Sequence, residues 1–157
     1  AFTGAIVFPR ALKWWVWPVA LLAVDLAAQG VEAVNNLQHI WLVYVCFALA
    51  AFWGSSLRSR VGVLGTLGGV IACSLGFYVI TNTQSWLVTA EYSKSFTGWT
   101  QALTTGLPGY PPTLFFLRNS LLSDVGFSVL LILAYNTEAI LRRFDRMPWT
   151  QRSDVAA

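Results

Sequence analysis

Charge is what this chain has least of. Asp, Glu, Lys and Arg make up 11% of its 157 residues, against about 25% in an ordinary soluble domain. Histidine occurs once and cysteine twice, too few for a four-ligand structural zinc site built on those residues. No Cys-x-x-Cys, phosphate-binding glycine loop, dinucleotide fingerprint or nucleophile–base pair is present. The chain therefore reads as a non-enzyme with no catalytic residue to assign and no identifiable cofactor. No cleavable signal peptide is visible. Cys46 and Cys73 each fall in an apolar stretch and read as small packing residues.

What fills the sequence instead is hydrophobic, at 56% of all residues, with 15% aromatic. Four stretches carry almost no charge: Trp14–Ala28, Ile40–Leu57, Val61–Ile80 and Thr113–Ile140. Each approaches or exceeds the roughly 17–25 residues that cross a bilayer as a helix. The composition predicts an all-α, polytopic transmembrane helix bundle of about five spans. Ala1–Phe8 reads as the tail of a first helix, closed by Pro9-Arg10, and completing that helix makes six spans. Residues 1–143 form one transmembrane domain without repeats, and residues 144–157 a C-terminal tail.

The net charge of +3 and pI near 9.1 invite a nucleic-acid reading, but the cations sit at helix ends rather than in a patch. Arg10 and Lys13 fall in one loop, Arg58 and Arg60 in another, and Arg142, Arg143, Arg146 and Arg152 beyond the last span. The alternate loops hold Lys94 with Glu32 and Glu91. By the positive-inside rule the first set faces the cytoplasm, as does the C-terminus. A bacterial inner-membrane protein is the expectation, with lipid and other integral subunits as partners. No nucleic acid is expected.

Local signals refine the helices. Trp14, Trp15 and Trp17 form an interfacial belt at the entry of the second, and Pro18 falls in its first turn. Gln29–Gln38 reads as a short outer loop, with the third helix over His39–Leu57. On the fourth, Gly65, Gly69, Ala72 and Gly76 place small side chains on one stripe, for packing within the chain or against a partner. Asn82 to Pro112 is too long for a simple connection. Phe96, Trp99, Leu103 and Leu107 recur at helical spacing there, with Ser95 as an N-cap, so an interfacial helix is expected in the outer loop. The proline-rich turn before Thr113 leads into the last span, which ends by Arg142-Arg143.

Polar residues inside these spans need a reason. A charge at mid-membrane costs roughly 2.5–3.5 kcal/mol on insertion scales. Arg118, Asn119 and Asp124 lie in the outer half of the last helix, Asp25 near the outer end of the second, and Asn82 near that of the fourth. Arg118 is expected to pair with Asp25, Asp124 or both. Two uses stay open: a network that sets helix register, or a site for a small solute reached from outside. His39 stands at the outer end of the third helix. Alone it cannot form bis-histidine haem, and a hydrogen-bonded interfacial residue is a plainer reading than a metal or pigment ligand.

These motifs resemble an uncharacterised family of small bacterial multi-pass membrane proteins. The likeness rests on Ala1-Phe2-Thr3-Gly4, Pro9-Arg10, Asp25-Leu26, Ile80-Thr81-Asn82 with Trp86, Tyr92-Ser93-Lys94-Ser95, and above all Arg118-Asn119-Ser120-Leu121-Leu122-Ser123-Asp124. Val24 and Ser93 depart from the family's usual serine and proline. The family's architecture looks similar to the substrate-binding S components of energy-coupling-factor transporters. That likeness implies capture of a vitamin or metal on the outer face within a larger assembly. The competing expectation is a structural subunit of a respiratory or photosynthetic complex, holding partner helices, lipids or pigments.

Overall fold

The computed structural model describes residues 1–8, 12–30 and 32–150, with backbone alone over 33–40. Pro9, Arg10, Arg152 and the side chain of His39 therefore lie outside the described residues. Among the described residues there are six helices and no strand: α1 (Phe2–Val7), α2 (Val16–Gln29), α3 (Glu32–Leu57), α4 (Val63–Val88), α5 (Phe96–Leu103) and α6 (Thr113–Arg142).

The last helix has the bounds its flanking prolines and arginines dictate. Pro112 stands as its N-cap, and Arg143 closes it in the left-handed region at φ 57. Phe144 N–H returns to the Ala139 carbonyl at 3.0 Å, which satisfies a carbonyl the helix end would leave open. α5 starts where Ser95 predicts, its Oγ accepting the Gly98 N–H at 3.2 Å.

Two boundaries differ from expectation. α3 begins at Glu32 rather than His39, so the expected loop Gln29–Gln38 shrinks to a turn at Gly30, whose φ is 62. Residues 32–38 contain no glycine or proline, and Glu32 sits favourably in a positive first turn. α4 runs to Val88, eight residues beyond Ile80. Thr81 and Asn82 donate to the carbonyls of Phe77 and Tyr78, both at 2.8 Å, and so reinforce the helix where their polarity suggested an end.

α4 and α6 are about 39 and 45 Å long at 1.5 Å per residue. By length and composition these two helices can cross a membrane, whose hydrocarbon is about 30 Å thick. α2 and the Trp41–Leu57 part of α3 are shorter apolar helices.

The hub is the smallest helix. Phe2 to Ile6 are all buried, and α1 packs on α3, α4 and α6 together. Phe2, Ile6 and Val70 form the core, edged by Ala50, Cys73, Val125 and Met147. The Phe2 ring leans on Trp53 with centroids 5.1 Å apart. Between α1 and α6, the Thr3 and Ser128 hydroxyls share a buried hydrogen bond of 2.7 Å. α2 packs chiefly on α3, away from α6. Outside this core the helices turn apolar residues outward: Val24, Leu49, Leu122, Phe127 and Leu141 are all exposed. Contiguous apolar surface of this kind marks contact with lipid or with protein.

Candidate functional site: an uncharged pocket under the α5 cap

The segment between α4 and α6 is tied down along its length. Trp86 Nε1 donates to the Ser93 carbonyl at 2.8 Å, and Lys94 Nζ donates to the carbonyls of Trp86 and, at 2.6 Å, Thr89. Trp99 Nε1 donates to Thr83 Oγ1 at 3.0 Å, and the Tyr78 hydroxyl donates to the Leu103 carbonyl. Gln101 Nε2 closes on the Gly106 carbonyl at 3.0 Å. These bonds hold α5 as a cap over the ends of α4 and α6.

Between α4, α6 and the segments on either side of α5 lies a cavity of about 410 Å³. Thr81, Asn82, Ser85 and Tyr92 present polar groups on one side, and Ser120 with Phe116 faces them from α6. Asn82 uses its amide N–H on its own helix, at the Tyr78 carbonyl, so its Oδ1 is an acceptor for whatever enters. Among the described residues no charged side chain lines this space. Hydroxyls, an amide and aromatic walls suit hydrogen bonding to a neutral polar molecule and stacking on a flat one.

Asp124 stands one turn past Ser120 on α6. Its Oδ2 accepts from Ser74 at 2.5 Å and from Ser120 at 3.3 Å. Among the described residues it is the only charged side chain on a second, largely apolar cavity of about 550 Å³ between α1, α3, α4 and α6. Ser120 borders both spaces.

The five polar residues singled out in the sequence do not converge on one cluster. Asp25 accepts a hydrogen bond from the Tyr44 hydroxyl, joining α2 to α3. Arg118 is exposed; Nε and Nη2 reach its neighbour Asn119 Oδ1 at 3.3 and 3.2 Å, and the guanidinium lies 5.0 Å over the Phe115 ring. Arg118 thus pairs with neither Asp25 nor Asp124, which corrects the expected ion pair. Six residues on a helix turn through about 600°, leaving Arg118 and Asp124 roughly 120° apart around α6. α2, which carries Asp25, lies on the far side of α3. Of the small-residue stripe, Gly69 packs against Phe2, whereas Gly65 and Ala72 are exposed and Gly76 meets nothing within 4 Å.

Sequence reasoning missed Ser74, Ser120, Tyr44 and Tyr92. Ser120 has a local signal, four residues before Asp124 and so on the same face. Tyr92 stands in the Tyr92-Ser93-Lys94-Ser95 motif, while Ser74 and Tyr44 have no local signal, because packing alone brings them in. Cys46 and Cys73 are free. Among the described residues no group of three or more His, Cys, Asp or Glu is placed to hold a metal.

The match to a family of unknown function, DUF6580, runs over residues 1–146. The chain belongs to that family. The match covers the α5 cap, both cavities and the Arg118–Asp124 stretch. No curated protein and no solved structure matches the chain.

Proposed function

We propose that this DUF6580 protein is a non-catalytic, multi-pass subunit of the bacterial inner membrane that captures a small solute on its outer face. It would work much as the S components of energy-coupling-factor transporters do, inside a larger assembly. The uncharged pocket between α4, α6 and the segments flanking α5 carries this reading. It opens at the end of α4 and α6 opposite Arg58, Arg142 and Arg146, so by the positive-inside rule it faces outward. The outward-turned apolar surface suits a multi-pass chain, with α2 and α3 beside the two long helices. The solute is read as uncharged where it is held, since the lining has hydroxyls, an amide and aromatic rings but no ion. Arg118, pointed elsewhere, is not assigned to it.

Native mass spectrometry of the protein gently extracted from its membrane tests the idea. The wild type should retain a small molecule that Ser120→Trp, which fills the pocket from α6, releases. A wild type free of any adduct, or an adduct indifferent to Ser120→Trp, overturns solute capture. Topology has its own test: a Ser95→Cys thiol should react with an impermeant maleimide from outside, and a Ser59→Cys thiol only after permeabilisation.

One observation favours the structural-subunit alternative. Ala72 and Gly76 leave room along α4, at the edge of the second cavity, that this chain does not fill, and such room lets a partner helix approach closely. Under that reading, Gly76→Leu abolishes co-purification of partner subunits while leaving the isolated chain as stable as before.

A further inference from the structure

The opposite end of the molecule holds a site of different chemistry. A cavity of about 530 Å³ opens between the end of α1, the α3–α4 junction, the last turns of α6 and the segment that follows it. Among the described residues that line it are the guanidiniums of Arg58, Arg142 and Arg146 and the carboxylate of Glu138. Arg58 is fixed in orientation, with Nε and Nη2 donating to the Ala5 carbonyl at 2.8 and 2.5 Å. Arg142 Nε rests on Glu138 at 3.0 Å, but both side chains are more than half exposed. Pairs so exposed are weak and exchange readily for a stronger anion. The rest of the wall combines the hydroxyl-bearing Ser59 and Tyr135 with apolar side chains that include Ile6 and Met147. Phe8, on the wall itself, is exposed, as is Leu141 next to Arg142 on α6.

We propose that this cavity binds a phosphate group, presented either by an anionic phospholipid or free in solution. A guanidinium fork matches phosphate oxygens two at a time, and several arranged around one concavity hold it better than ammonium groups do. Basic pockets between helix ends on the cytoplasmic side are also where anionic head groups lodge. The apolar surface beside the mouth suits acyl chains. The site is independent of what the outer pocket holds.

The test uses the full chain in a neutral detergent, with native mass spectrometry to count retained lipids. Offered equal phosphatidylglycerol and phosphatidylcholine with matched acyl chains, the wild type should retain the anionic lipid about tenfold better. The Arg142→Gln/Arg146→Gln double variant should lose that preference; both side chains are exposed, so folding is checked by an unchanged melting temperature. The double lysine variant should recover part of it, and Arg118→Gln, a cation elsewhere on α6, should retain all of it. Displacement of the lipid by millimolar inorganic phosphate supports the site and assigns it to soluble phosphate. Lipid retention that phosphate cannot displace supports the site and assigns it to the membrane. Equal retention of the two lipids, or a preference that survives the double glutamine variant, overturns the proposal.

Discussion

Gly69→Ala adds one methyl group where α1 and α4 touch. A Cβ there would lie 2.3 Å from Phe2 Cζ and 2.5 Å from Cε1, whereas carbon atoms ordinarily meet at about 3.5–4.0 Å. The ring would have to retreat by roughly 1–1.7 Å to restore ordinary contact. Little room exists for that. Phe2 is 4% exposed, its ring leans on Trp53, and its carbonyl lies against Gly54 across the interface with α3. Overpacking of this kind costs about 1–3 kcal/mol. At about 2–4 °C per kcal/mol for a chain of this length, the melting temperature should fall by about 2–12 °C. Gly76→Ala is the internal control, on the same helix with nothing within 4 Å of the new methyl group. It should melt at or above the wild-type temperature, since alanine is the better helix former by up to about 1 kcal/mol. Thermal unfolding in detergent, followed by fluorescence of the eight tryptophans, reads both. An unchanged midpoint for Gly69→Ala refutes the wedging of Phe2 between α3 and α4, and with it the core described above.

Other side chains make equally direct tests. Tyr44→Phe removes the hydroxyl that Asp25 accepts from; leaving a half-buried carboxylate without its donor should cost about 1–3 kcal/mol in denaturant unfolding. The same substitution on an Asp25→Ala background should cost much less, and equal losses on both backgrounds would refute the coupling. Arg118→Ala should change stability by less than about 0.5 kcal/mol, as for exposed positions generally; outright unfolding would restore the buried ion pair the structure lacks. Arg143→Gly should raise the melting temperature, because relieving a non-glycine residue of left-handed backbone recovers up to about 1 kcal/mol. A fall there would show that the Arg143 side chain contributes more than its backbone strain costs.

Much of the helical order was legible in local chemistry. Pro111 and Pro112 precede α6, and Ser95 caps α5, because fixed dihedrals and a free hydroxyl act over three or four residues. The two misplaced boundaries share a cause. Polar residues from Glu32 to Gln38 and from Thr81 to Val88 look like loop by composition, yet without glycine or proline nothing stops the backbone ladder.

The sequence by itself determined that this protein is all helix, that its charges gather at helix ends, and that Asp25, Asn82, Arg118 and Asp124 are exceptions needing partners. Only the tertiary structure decided who those partners are. Asp124 meets Ser74 from α4, Asp25 meets Tyr44 from α3, and Arg118 turns to Asn119 beside it. Periodicity sets the depth of a side chain along its helix, but the rotation of that helix and the identity of its neighbour are set by packing. α1 supplies that packing here: five residues buried among three helices settle which faces meet, leaving an uncharged pocket at one end and an arginine-lined one at the other.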